Sequence, residues 1–341
     1  RWPDVLGLAG KVALHRGHGR LKLHGESLRV EWPRMFREPL ELDLPPCELD
    51  LKWGDGWQVG MRDCRLLNDD LEVLADLFMS GNSGKPAVDL NAAVIRADIA
   101  RLGAYWPEAI MKDKVKGWLR RGLVSGAVVH GRFQIHGDMD DWPFRNGRGR
   151  FEALAEVRDA VLEYYPGWPQ AAGVDAVAQF EGTAMEIRGK VADIGGVSAD
   201  PVHVDIPDLK APLLTIDYAS ADSLPGLLGF LRQTPLQQQI RVDLEQFRFA
   251  GQARTGGRLV APLGGVGGSL SVDGRVDLLE GSFYDPVSDI ALERIAGPSR
   301  LDDNPATAAY FYPGGKPLAS GELRDNPDYA RTLRDFAAEG Q

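Results

Sequence analysis

The chain has 341 residues, 44% of them hydrophobic and 26% charged, so one large domain or two to three small ones with a sizeable core fit its length. Its formal net charge of −10 argues against broad binding to nucleic acid phosphates or to an anionic membrane surface. No window reaches the roughly 18–20 apolar residues of a membrane-spanning helix. No signal peptide precedes Arg1-Trp2-Pro3, which reads as the start of a piece cut from something longer.

Residues 11–103 read as short strands joined by polar turns. The apolar residues Leu21/Leu23, Leu40/Leu42/Leu44 and Leu49/Leu51/Trp53 recur at a period of two, which places them on one face of a sheet. Gly25-Glu26-Ser27 shifts the alternation to Leu28/Val30/Trp32, as a hairpin turn would. Asn68-Asp69-Asp70 and Gly81–Pro86 read as turns. Between Pro107 and Gly122 the period changes: Ala109, Ile110, Val115, Trp118 and Leu119 predict a helix opened by the proline and ended by the glycine.

Strands resume at Gly126. Val129, Gly131, Phe133 and Ile135 take one face, and His130, Arg132, Gln134 and His136 the other. The period continues through Val174–Phe180, Val202–Ile206 and Leu214–Tyr218. A second helix is predicted over about 223–233, capped by Ser223, with Pro225 in its first turn and Pro235 closing it. Alternation returns at Ile240/Val242/Leu244 and from Leu270 to Leu278. The glycine-rich run 264–268 is followed by a strand pattern rather than a helix, so it reads as a turn and not a phosphate cradle. Residues 327–340 read as an amphipathic helix with Tyr329, Leu333 and Phe336 on its apolar face.

Nothing in this pattern makes a catalytic case. Cys47 and Cys64 read as two buried free thiols, with pairing open if the compartment is oxidising and their strands are neighbours. His15, His18 and His24 lack acidic or cysteine partners at metal-ligand spacing and read as solvated or turn residues. Asp138, Asp140 and Asp141 lack the spacing of a calcium loop and read as a polar turn. No Gly-x-Ser-x-Gly elbow is present. Trp106, Trp118, Trp142, Trp168, Tyr164 and Tyr165 crowd one third of the chain; they read as packing at strand ends or as an aromatic rim on an apolar groove.

Several ordered segments carry a family resemblance: Leu28–Pro33, Phe36–Leu40 and Leu66–Asp70; Tyr105-Trp106-Pro107, Val115–Leu119 and Trp142-Pro143-Phe144; Leu162–Tyr165, Trp168-Pro169, Ile206–Leu209 and Thr234-Pro235-Leu236. Over about residues 5–300 the chain resembles the YhdP family, a branch of the AsmA-like proteins of Gram-negative bacteria. The resemblance implies a periplasmic location, an inner-membrane anchor elsewhere in the parent protein with none in this chain, and a long curled β-groove that serves phospholipid transport between the inner and outer membranes. After about Leu301 the texture changes. Ala308–Leu318 and Asn326–Leu333 resemble a short internal stretch of γ-glutamyltranspeptidases; the nucleophile of that family has no counterpart here, and a mis-joined reading frame would make the tail chimeric.

The expected fold is mainly β: an elongated, curled antiparallel sheet forming a taco-like groove, with two short covering helices and a helical C-terminal tail. Its segments are an N-terminal part (1–103), a central part (104–300, helices near 108–121 and 223–233) and an unrelated tail (301–341). The expected function is non-enzymatic: shielding phospholipid acyl chains, with no cofactor, metal or nucleic acid. The alternative is a ligand-free structural or interaction module of the cell envelope. Phe133, Ile135, Phe180, Ile187, Val204, Ile206, Ile216, Val242, Leu244 and Val272 are the expected lining, and Trp106, Trp118, Trp142 and Trp168 the expected aromatic rim. An open apolar trough would favour transport; a filled sandwich would favour the scaffold.

Overall fold

The computed structural model describes residues 3–108, 111–235, 247–263, 271–286 and 290–298. Their strands are β1 (Asp4–Leu6), β2 (Ala9–His15), β3 (His18–Glu31), β4 (Leu40–Trp53), β5 (Trp57–Leu67), β6 (Leu71–Gly81), β7 (Ala87–Asp98), β8 (Leu123–Asp138) and β9 (Gly149–Leu162). They continue as β10 (Ala171–Glu181), β11 (Ala184–Ile194), β12 (Ala199–Ile206), β13 (Leu213–Ser223), β14 (Arg248–Ala250), β15 (Gln252–Pro262), β16 (Ser271–Asp285) and β17 (Ile290–Pro298). All seventeen belong to one open, curled antiparallel sheet. From β2 to β13 each strand pairs with the next in sequence. β1 continues β2 along the same edge of β3, and β14 continues β15 along β16. The sheet crosses residues 103/104 without interruption through the β7–β8 ladder. Residues 236–246, which include Val242 and Leu244, lie outside the described residues, as do Leu270, the glycine run 264–268 and the whole tail 301–341.

An up-and-down sheet sends its connections alternately to two rims. The first rim carries the long connections: the loop 32–39, the turn 68–70, a 3-10 turn Ile99–Tyr105, helix α1 (Asp113–Gly122), the loop 163–170, and helix α2 (Leu224–Arg232) after β13. Among the described residues the second rim carries short turns after β2, β4, β6 and β10, the connection 207–212 after β12, and a longer excursion, residues 139–148, tied to 207–212 by the Arg145–Asp208 pair. The helix α2 begins as its sequence signals require: Ser223 Oγ accepts the Gly226 N–H at 3.1 Å, and a proline sits in the first turn. The helix α1 begins at Asp113, not at Pro107; Lys112 is its N-cap, with no side-chain cap bond.

Three further expectations are corrected, and one holds only across a strand irregularity. Gly25–Ser27 is no hairpin: β3 runs straight through it, with a β-bulge at which Ser27 takes a left-handed φ of 51°. The inward residue before Gly131 is Val128 rather than Val129; a bulge between Val128 and His130 turns Val129 outward, 42% exposed. Leu40/Leu42 and Leu49/Leu51 share one face only because the β3–β4 register shifts between them. Finally, Cys47 and Cys64 are not free thiols. They lie on neighbouring strands with Cα atoms 5.1 Å apart and form a disulfide.

Candidate functional site

Directly opposed residues of an antiparallel ladder share a face, so the pairing registers trace rows of side chains across the sheet. One row starts at Leu66 and runs through Val73, Val94, Gly131, Ala155 and Ala178. It continues through Ile187, Val204, Ile216, Leu259 and Val272, eleven strands without a polar side chain. The neighbouring row passes from Cys64 through Ala75, Ala92, Phe133, Ala153, Phe180 and Met185 to Ile206. A third joins Val12, Leu21, Leu49, Met61, Leu77, Leu90, Ile135 and Phe151. The eight described lining candidates therefore fall on one face. Alternation alone identifies the rest of it, Leu49, Met61, Leu77 and Leu90 included. The Cys47–Cys64 disulfide belongs to this face as well, because Cys64 stands in the second row.

The opposite face carries the charges. The row His130, Glu156, Val177, Arg188, His203, Asp217, Arg258, Asp273 alternates sign over most of its length. Arg258 binds Asp217 through two bonds, at 2.6 and 3.0 Å, and holds that carboxyl below its ordinary pKa. Lys22 reaches Glu48 at 2.6 Å and lowers its pKa in the same way. Such exposed pairs add little stability, because water screens them; they keep this face wet.

Among the described residues the inner face is covered chiefly at the first rim. Phe36, Ile99, Leu102, Tyr105 and Tyr164 fold over Leu71, Ala97, Val128, Ala160, Val174 and Ala176 to make the main buried cluster. The 3-10 turn is held down by Tyr105, whose hydroxyl accepts from Asn68 Nδ2 at 2.7 Å and donates to Asp70 Oδ2 at 3.1 Å, while Arg101 pairs with Asp70 at 3.2 Å. The Tyr164 hydroxyl is buried with no hydrogen-bond partner among the described residues, and burial pushes its pKa up. Away from this cover the inner face stays accessible: Phe133, Ile135, Phe180, Val204 and Ile216 are half-buried and Val272 is 49% exposed; Ile187, also half-buried, packs against the cluster, and Ile206 is buried.

The four rim tryptophans divide between the two sides. Trp106 follows the 3-10 turn, Trp118 donates from α1 to the Tyr164 carbonyl at 3.1 Å, and Trp168 lies between Tyr164 and Phe230 of α2; all three belong to the first rim. Trp142 stands at the second rim, edge-on to Phe144 and Phe151. Among the described residues no three His, Cys, Asp or Glu side chains gather as a metal site; His15 and His18 stack on each other across the β2–β3 hairpin. Asp138 caps the turn that follows it, and Asp141 accepts from Asn146. No helix of the described residues is long and apolar enough to cross a membrane.

A family model described as YhdP protein matches residues 1–310. The chain is 22% identical over 318 residues to the intermembrane phospholipid transporter YhdP of Escherichia coli (strain K12). That match covers 91% of the chain and 25% of the relative, so the chain spans about a quarter of the length of the curated protein it matches. No solved structure matches.

Proposed function

The chain belongs to the YhdP family, and from that premise we propose that it is a segment of a periplasmic lipid conduit whose inner face shields phospholipid acyl chains from water. The observation that carries this reading is the apolar row across eleven strands, covered chiefly at the first rim and, among the described residues, accessible over much of the rest. An acyl chain lying along such rows gains about 0.8 kcal/mol per methylene removed from water. The lining comprises Phe133, Ile135, Phe180, Ile187, Val204, Ile206, Ile216 and Val272, with no reacting group among them. The anchor and the contacts with the inner and outer membranes belong to other parts of the parent protein. The disulfide supports a periplasmic setting, because such bonds persist in oxidising compartments.

The buried cluster at the first rim favours a second reading, a ligand-free envelope scaffold. Organic extraction of the purified chain followed by mass spectrometry separates the two. Co-purifying phospholipid is expected. A lipid-free protein that also fails to take up lipid from mixed micelles would leave the scaffold.

A further inference from the structure

The 139–148 loop does not stay at the second rim; it folds onto the inner face. Gly137 and Gly149 oppose each other across β8 and β9, and by alternation from Ile135 and Phe151 both belong to that face. A Cβ built on Gly149 would lie 2.3 Å from the Phe144 ring, and one on Gly137 2.9 Å from it. The two glycines are thus a bed on which Phe144 lies, 6% exposed, with its own φ at 62°. Phe144 in turn holds Trp142, with ring centroids 5.4 Å apart. Trp142 reaches Phe151 at 5.3 Å, and Phe151 reaches Phe133 at 5.6 Å, each pair edge-on. The result is a continuous run of rings from the middle of the sheet to the rim. Within it Trp142, between Phe151 and Phe144, remains 44% exposed although Phe144 is buried.

We propose that Trp142 is an acyl-chain contact site, an aromatic overhang past which a phospholipid tail reaches the sheet from the second rim. The assignment rests on the conduit reading and fixes its geometry. The first rim is closed to a tail by the chain's own residues, with Ile99, Leu102 and Tyr105 over the strand ends and Trp168 spent between Tyr164 and Phe230. Among the described residues the longest connection of the second rim is 139–148, and it carries a half-exposed indole lying against the inner face. An indole with an apolar body and a polar edge suits such a boundary between oil and water.

The test uses phosphatidylcholine brominated along its acyl chains, which quenches indole fluorescence on contact, with plain phosphatidylcholine as the reference. The wild-type chain is expected to be quenched. Trp142→Phe should lose part of that quenching, the remainder coming from Trp53 and Trp57, which oppose each other on the same face, whereas Trp168→Phe should lose none. Trp142→Tyr serves as a second variant, and melting curves establish that each protein is folded. Quenching that is equal in wild type and both Trp142 variants overturns the Trp142 assignment and leaves the conduit standing. Wild-type protein that is not quenched at all overturns both.

Discussion

Ser27, Asp63 and Asp159 share one device. Each sits at a strand irregularity with φ near 50°, and each sends its backbone N–H to an aspartate on the neighbouring strand: Asp43 at 2.7 Å, Asp76 at 2.7 Å and Asp175 at 3.1 Å. A bulge withdraws one N–H from the ladder, and the carboxylate replaces the lost acceptor. At Asp175 this donation is the main reason the carboxyl is held below its ordinary pKa, with Arg158 and Lys190 adding to it. A carboxyl whose folded pKa lies below its unfolded value stabilises the fold above the unfolded value, near ~3.9, and loses that contribution as pH falls through the folded one. Asp175→Asn removes this dependence. Urea melts at neutral and strongly acidic pH should show the wild type's advantage over the variant shrinking in acid; an unchanged advantage would mean the bond to Asp159 is idle. The disulfide acts where the β4–β5 ladder has no paired residues, between the Asp43–Leu67 and Glu48–Arg62 pairs. It closes a sequence separation of 17 residues. Reduction, or replacement of both cysteines by alanine, should therefore cost about 3 kcal/mol, read as a lower urea midpoint, and non-reducing peptide mapping should recover the linked pair.

At the scale of elements, the faces of the strands were legible because the side-chain period of a strand is two. Phe133, Phe180 and Ile206 were read from separate strands, and the pairing places them in one row. The bulges were not legible. One extra residue resets the alternation without any turn-forming signal, so Gly25–Ser27 resembles a hairpin and Val129 an inward residue. The disulfide escaped for a related reason, since it depends on which strands are neighbours. The start of α1 was misread because Pro107 is compatible with a first helical turn, yet the backbone is still extended at Lys112. The overhang at 139–148 was legible only in its aromatics; the bed beneath Phe144 depends on the register that sets Gly137 opposite Gly149. That register yields its own prediction. Gly149→Ala puts a methyl group into the space of the Phe144 ring and close to the His136 carbonyl, at 2.7 Å. Overpacking of this kind costs about 1–3 kcal/mol and should lift Phe144 and Trp142 off the sheet, seen as a red shift of the indole emission with the far-UV spectrum unchanged. A variant with wild-type emission and stability would show that the ring does not lie on the glycine.

For the molecule as a whole, the question that decides function is what lies over the inner face. A filled sandwich and an open trough present the same alternation in sequence, because both need one apolar and one polar face per strand. They differ in the response to a charge placed on the apolar side. Val174, 6% exposed beneath the first-rim cover, has no water to solvate an aspartate; Val174→Asp should cost about 3–5 kcal/mol or prevent folding. Val272 ends the eleven-strand row and is 49% exposed, so Val272→Asp should change stability by less than about 1 kcal/mol. On the proposed conduit the same substitution sets a carboxylate in the path of an acyl chain, which then either leaves that stretch or strips the charge of water. Phospholipid recovered per mole of purified Val272→Asp protein should therefore fall several-fold while its urea midpoint holds. If the midpoint drops as far as that of Val174→Asp, the row is packed core along its whole length and the sheet is a scaffold; if both midpoint and lipid content stay at wild-type values, acyl chains do not travel over the β15–β16 end of the face.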